Sequence, residues 1–158
     1  MSTYFRHAQS VNNNYSTIRH LYKNNDSLWL ATDFGLVLMS EKKTCVLKVY
    51  DSKAGLIGNV VYAILPDKNN NLWMSSNHGI FRLNISTQNL KNFDEGYGLL
   101  GAEFNTAACC TDDAGHLFFG GINGINYFLP TEIAVNTYTT GPLITGITVM
   151  NNPLKYAL

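Results

Sequence analysis

Apolar residues in this chain come in short consecutive runs separated by polar turn chemistry, an arrangement that predicts β-strands throughout. The run Val60-Val61-Tyr62-Ala63-Ile64-Leu65 is rich in β-formers and stops at Pro66, which has no N–H to give to a strand ladder. Asp67-Lys68-Asn69-Asn70-Asn71 reads as a turn, and Leu72-Trp73-Met74 follows with apolar side chains on consecutive positions. Successive strand residues point to opposite faces, so this second strand is expected to be dry on both sides. The corner Asn77-His78-Gly79 leads into Ile80-Phe81-Arg82-Leu83, with Gly79 supplying a positive φ or a close backbone approach. The largely polar run Asn89-Leu90-Lys91-Asn92-Phe93 reads as an outer edge strand guarded by charge. Together the four predict an antiparallel meander with a dry inside and a wet outside.

That meander recurs. Leu28-Trp29-Leu30-Ala31-Thr32 with Gly35-Leu36, Leu72-Trp73-Met74-Ser75-Ser76 with Gly79-Ile80, and Leu117-Phe118-Phe119-Gly120-Gly121 with Gly124-Ile125 repeat at offsets of 44 and 45 residues. The repeat is marked by Trp29, Trp73 and Phe118 and by Gly35, Gly79 and Gly124. In the first unit, residues 15–21, 28–32, 36–39 and 46–50 fill four strand positions, with Lys23-Asn24-Asn25-Asp26 as the first turn. In the third, residues 104–110, 117–120 and 125–128 fill three, with Asp112-Asp113-Ala114-Gly115 as the turn. Tyr4-Phe5-Arg6 stands about one period before Tyr50 and reads as the outer strand of a missing blade. Four-stranded units with this period predict an all-β chain: a partial β-propeller of about three four-stranded antiparallel blades in an incomplete ring. The main rival, a two-sheet sandwich, calls for cleaner alternation and no self-similarity.

Three blades leave two open faces, each on the order of 300 Å², which predicts either a fragment or self-association, with a homodimer as one outcome. After Phe128 the pattern stops. The blades are assigned to residues 1–130, a linker to 131–141, and the first strand of a truncated second domain to 142–158, with Asn151-Asn152-Pro153 as its turn.

Composition narrows the field. With 158 residues and 46% hydrophobic content the chain has enough apolar side chain for a core. Its 11 basic residues are balanced by 11 acidic ones and scattered, so the electrostatic footprint of a nucleic-acid binder is missing. No apolar run approaches the roughly 20 residues of a membrane helix, and the start lacks a signal-peptide core. Cys45, Cys109 and Cys110 are odd in number, and strand neighbours point apart, so all three read as buried free thiols. The sequons at Asn14, Asn25 and Asn84 are treated as chance matches. Nucleophile-elbow, zincin and phosphate-loop motifs are missing, and His7, His20, His78 and His116 have no metal-ligand spacing, so neither a catalytic residue nor a cofactor is assigned. Asp112-Asp113 reads as turn chemistry in preference to an acid/base couple.

Topology nevertheless singles out one end. In a meander the corner between strands two and three shares a side with the linker into the next unit, and binding residues favour loops held by a rigid scaffold. The candidate surface is Asp33-Phe34, Asn77-His78 and Ile122-Asn123, together with Tyr97, Glu103 and Asn105. Aromatic and amide groups there suit a sugar, stacking on its apolar face and bonding its hydroxyls. The competing reading is that Asn77 and Asn123 serve tight turns and Tyr97 packs the linker.

These motifs resemble the two-component regulator propeller repeat, whose pattern runs Leu-Trp-Ile-Gly-Thr, two variable residues, Gly-Leu, and later an Asp-Gly-Leu linker. Gly55-Leu56 and Gly98-Leu99 fall where the linker belongs; Ala31 and Ser75 replace the usual glycine, and Asp94-Glu95-Gly96-Tyr97-Gly98-Leu99 is a lengthened version. Glu103-Phe104-Asn105 followed by Phe119-Gly120-Gly121-Ile122-Asn123-Gly124-Ile125-Asn126 is similar to that family's last blade, and the stretch beyond Pro130 to the start of its tyrosine-rich immunoglobulin-like domain. The resemblance implies a piece of the periplasmic sensor region of a membrane-spanning hybrid two-component histidine kinase, which responds to an oligosaccharide and drives transcription. Its implied partners are that oligosaccharide, the remaining blades and the Ig-like domain, with the membrane reached only through the parent protein. A non-catalytic protein-interaction scaffold, and a propeller carbohydrate lyase or hydrolase with charged groups around the axis, are the two other function classes.

Overall fold

The computed structural model describes residues 17–42, 45–133, 148–149 and 152–153. Strands β1 (Ile18–Asn24), β2 (Ser27–Thr32), β3 (Gly35–Ser40) and β4 (Cys45–Tyr50) form the first sheet, in that order. The second sheet repeats it with β5 (Val61–Pro66), β6 (Asn71–Ser76), β7 (Gly79–Asn84) and β8 (Leu90–Phe93). The third sheet has three strands among the described residues: β9 (Phe104–Thr111), β10 (Leu117–Gly121) and β11 (Gly124–Phe128). A two-stranded ladder joins β12 (Thr148–Val149) to β13 (Asn152–Pro153). All neighbouring strands are antiparallel, and among the described residues the sheets do not close a ring. Tyr4-Phe5-Arg6, the linker stretch 134–141 and most of the strand expected at 142–149 lie outside the described residues.

One boundary moves. The sequence ends the first strand at residue 21, whereas β1 runs on to Asn24 because Lys23 and Asn24 pair with Leu28 and Ser27. The turn is then only Asn25-Asp26, and Asn25 takes a left-handed φ of 51°, a conformation asparagine tolerates.

The consecutive apolar run in β6 is explained by its position. Leu72 and Met74, with Phe81 and Leu83 of β7, face the first sheet and pack with Trp29, Leu36 and Tyr50. Trp73, Ile80 and Phe93 face the other way and pack with Phe104, Leu117 and Phe119 of the third sheet. The middle sheet is therefore dry on both faces, and each large side chain so buried contributes ~1.5–3 kcal/mol.

The repeat holds at the level of atoms. Trp29 stacks on Tyr50 of its own outer strand at 6.0 Å, and Trp73 on Phe93 at 5.3 Å. Thr32 Oγ1 donates to the Gly35 carbonyl at 2.8 Å, and Ser76 Oγ to that of Gly79 at 2.9 Å. A Cβ on Gly35 would stand 2.1 Å from the Tyr50 carbonyl oxygen, and one on Gly79 2.2 Å from that of Phe93, so both glycines are demanded by close approach as well as by positive φ. After each complete sheet an aspartate, Asp51 or Asp94, caps a short 3-10 turn, which a left-handed glycine, Gly55 or Gly98, then closes. Phe118 occupies the tryptophan slot in β10 but is only half-buried, and it stacks on Tyr127 instead of an outer-strand ring.

The thiols are more exposed than expected. All three are free, but none is fully buried: Cys45 and Cys109 are half-buried, Cys109 packing toward the second sheet, and Cys110 is exposed. Alternation along β9 puts the two on opposite faces, and the outer face of the third sheet is uncovered among the described residues.

Candidate functional site

The inner strands β1, β5 and β9 lie side by side, and each carries an irregularity in its pairing near the same end. The ladder skips between Ile18 and His20 in β1 and between Val61 and Ala63 in β5; in β9 it shifts between the partners of Phe119 and Gly121. A bulge leaves a residue unpaired and re-aims its side chain. Here the re-aimed residues are Arg19 and Tyr62, and a period of 43 brings Asn105 to the same place in the third unit.

Arg19 joins all three sheets. Its Nε is ion-paired with Asp33 at the β2–β3 corner, and both side chains are about a quarter exposed. Its Nη1 donates to Thr106 Oγ1 on β9 at 2.8 Å, and its guanidinium lies 5.2 Å from the Tyr62 ring centroid. Such stacking holds a planar cation in place without consuming its hydrogen-bond donors. Tyr62 donates its hydroxyl to Glu103 Oε1 at 2.6 Å. Burial pushes the Tyr62 phenol up to about 12, and the Glu103 hydrogen bond and charge push the same way. The phenol is thus a proton donor at every physiological pH. One guanidinium and two carboxylates meet here with a phenol and a hydroxyl, and Asn105 is exposed beside Thr106. The set offers charged acceptors and fixed donors to a polyhydroxylated ligand.

The other sequence-predicted residues are placed differently. Phe34 is exposed at the same corner as Asp33, its N–H donating to Thr32 Oγ1 at 3.1 Å. Asn77 and His78 are packed against the preceding linker, where a Cβ on Gly58 would stand 2.4 Å from His78 Nδ1 and 2.9 Å from Asn77 Oδ1. Asn77 Oδ1 is buried with no hydrogen-bond partner. Asn123 holds the second linker in the equivalent way, its Nδ2 donating to the Leu100 carbonyl at 3.1 Å. Tyr97 stands off the axial cluster, edge-on to Phe93 at 5.1 Å and lining a crevice of about 270 Å³ between the second and third sheets. Of the eight candidates, the structure joins Asp33 and Glu103 in one network with Asn105 beside it, and gives Asn77, His78 and Asn123 corner-packing contacts.

Sequence reasoning missed Arg19, Tyr62 and Thr106. The signal for the first two was their spacing, since Arg19, Tyr62 and Asn105 are 43 residues apart and none is aliphatic although each sits in an inner strand.

A larger cavity, about 530 Å³, lies at the opposite end between the second and third sheets. Two of its carboxylates are engaged in structure: Asp67 accepts from Trp73 Nε1 at 2.9 Å and Asn71 Nδ2 at 2.8 Å, and Asp112 meets His116 Nδ1 at 2.7 Å. Among the described residues no group of three or more His, Cys, Asp or Glu side chains is placed to hold a metal ion, and no helix is long and apolar enough to cross a membrane.

Comparison with known proteins gives this architecture a family. The family model of the TSS9, PorZ, N-terminal beta-propeller domain matches residues 3–97. Over 97 residues, 61% of this chain, the sequence is 32% identical to histidine kinase P4 of Formosa agariphila, covering 7% of that protein. Among solved structures, the extracellular domain assigned to a hybrid two component system of B. thetaiotaomicron is 33% identical, with a TM-score of 0.73 over 82% of this chain and 18% of its own. PorZ, a surface component of the type-IX secretion system of Porphyromonas gingivalis, shares the fold at 18% identity, with a TM-score of 0.60 over 74% of this chain and 18% of its own. The chain thus spans under a fifth of the length of these relatives. With matched blades and a family model covering more than half its residues, the chain belongs to the PorZ N-terminal β-propeller family, and its relatives include extracellular domains of two-component sensors.

Proposed function

We propose that this chain is part of the periplasmic sensor region of a hybrid two-component histidine kinase, and that its axial end contributes to recognition of an oligosaccharide whose binding is passed through the membrane to control transcription. The observation that carries the sensor reading is the 33% identity, with the same blade geometry, to an extracellular domain assigned to such a system. What supports a sugar is the chemistry of the axial cluster: carboxylates of Asp33 and Glu103, the Arg19 guanidinium and the exposed amide of Asn105 are groups that bond vicinal hydroxyls. On this reading residues 1–130 are blades, 131–141 a linker and 142–158 the opening of an Ig-like domain. The segment itself is non-catalytic, the kinase activity residing in the parent protein. Signal transfer requires two blade or linker arrangements that the ligand binds unequally.

The test is a full-length sensor carrying Glu103→Gln and Arg19→Met in a transcriptional reporter strain, with titration calorimetry of the ectodomain against the glycan that induces it. Loss of both binding and induction supports the reading; unchanged affinity and induction in both variants refutes the axial site.

A second reading, an assembly scaffold, draws on the matched family model, whose namesake is a secretion-system surface component. It predicts co-purification with a protein partner and no glycan-dependent rise in melting temperature.

A further inference from the structure

Glu103 is held at both of its ends. Its carboxylate accepts from the Tyr62 hydroxyl at 2.6 Å, its carbonyl takes the Ile122 N–H at 3.4 Å, and a Cβ on Gly121 would stand 2.5 Å from that same carbonyl oxygen. A carboxylate anchored through backbone and side chain is not free to swing away from an incoming group. Among the described residues no lysine or arginine forms an ion pair with it. Arg19, the cation of the axial cluster, is already matched: Asp33 holds its Nε edge, Thr106 takes an Nη1 donor at 2.8 Å, and the Tyr62 ring lies 5.2 Å from its guanidinium. Arginine grips a carboxylate or sulfate through a fork of parallel N–H groups, and the fork that includes Nε is occupied by a carboxylate of the protein itself. The charges that reach the Tyr62 hydroxyl are those of Glu103, Arg19 and Asp33, two negative against one positive.

We propose that the axial end selects its saccharide by charge: it takes oligosaccharides that are neutral or carry an amine and excludes uronic and sulfated sugars, with Glu103 as the specificity-determining residue. The inference rests on the sugar reading given above and adds the class of sugar. A neutral sugar meets Asp33 and Glu103 as a donor of hydroxyl hydrogens, the role that carboxylates, being acceptors only, require of a ligand. The exposed amide of Asn105 serves its remaining hydroxyls, and the exposed Phe34 ring next to Asp33 offers a face for the C–H side of a pyranose. An acidic sugar instead brings a further anion against two fixed ones, in a site whose guanidinium is engaged, and like charges set against each other cost affinity. Because Arg19 and Asp33 are only about a quarter exposed, salt screens this repulsion incompletely.

Two measurements on the full chain separate the charge from the sugar. The first uses no glycan: paramagnetic relaxation of the Asn105 amide protons by amino-PROXYL is compared with that by carboxy-PROXYL, co-solutes of similar size and opposite charge. The cationic probe is expected to relax them at least ~2-fold faster, as a local potential on the order of kT produces, and Glu103→Gln to bring the ratio close to unity. Equal relaxation by the two probes in the unaltered chain, or faster relaxation by the anionic one, overturns the proposal whether or not the variant folds. The second is a glycan array of neutral, amine-bearing, uronate-bearing and sulfated oligosaccharides. Binding is expected to be confined to the first two classes, with a bound neutral glycan preferred about 10-fold or more over its own C6-oxidised, carboxylate-bearing derivative. An acidic glycan among the tight binders overturns the charge selection and leaves the sugar reading standing. No bound glycan of any class removes the sugar reading, and this inference with it.

Discussion

Arg19 on the first inner strand donates to Thr106 on the third across 2.8 Å of space and 87 residues of chain. Two bulged strands and a stacked tyrosine bring the pair together, and the contact ties the outer two sheets at the axis while the middle sheet separates their faces. The first prediction follows from it. A double-mutant cycle of Arg19→Met and Thr106→Val should return a coupling of about 0.5–1 kcal/mol in urea unfolding, the range for a partly exposed charge-assisted hydrogen bond.

Burial of the middle sheet on both faces predicts sharply unequal costs for truncating apolar side chains. Phe81→Ala, at a fully buried ring, should destabilise by ~3–5 kcal/mol, whereas Ile57→Ala, at a residue 53% exposed, should stay within ~0.5 kcal/mol. Urea midpoints at constant m-value check both.

Two glycines with nearly equal φ separate crowding from backbone strain. Gly79→Ala drives a methyl to 2.2 Å from the Phe93 carbonyl oxygen at φ 98° and should cost more than ~3 kcal/mol. Gly98→Ala, at φ 93° with open space around it, should cost only ~1–2 kcal/mol for the left-handed backbone. Equal losses would mean that the outer strand does not crowd Gly79.

His20 introduces a pH dependence between blades. Its Nδ1 accepts the Ile64 N–H at 3.1 Å, which requires a neutral ring, and burial holds its pKa below the ordinary 6.5. Between the folded value and 6.5 the unfolded chain binds more protons, so stability is lost as pH falls through that window and levels off below it. His20→Asn, which keeps an acceptor without titrating, should remove this component from the pH dependence of the urea midpoint.

How far the sequence carried the account depends on the kind of information involved. The period shared by Trp29, Trp73 and Phe118 was enough for the blades, since each unit must bury a face on its neighbour, and the three strands that the last sheet has among the described residues were visible in the run from Phe104 to Phe128. The axial network was not visible. Whether Arg19 faces a partner strand or the axis depends on a one-residue skip in pairing, which is a property of two strands together and leaves no local mark. Tyr97 was grouped with Glu103 on one candidate surface; the 3-10 turn capped by Asp94 instead sets its ring against Phe93, away from the axial cluster. Exposure of Cys110 was missed for a related reason, because it depends on what covers the third sheet.

The central claim is that successive blades bury matched faces, with Trp29 and Trp73 in the same slot of consecutive sheets. The most direct measurement is tryptophan emission and acrylamide quenching of the single-tryptophan variants Trp73→Phe and Trp29→Phe. Both should emit at the short wavelength of a desolvated indole and resist quenching to a similar degree. A solvated, readily quenched emission from either one would contradict the account.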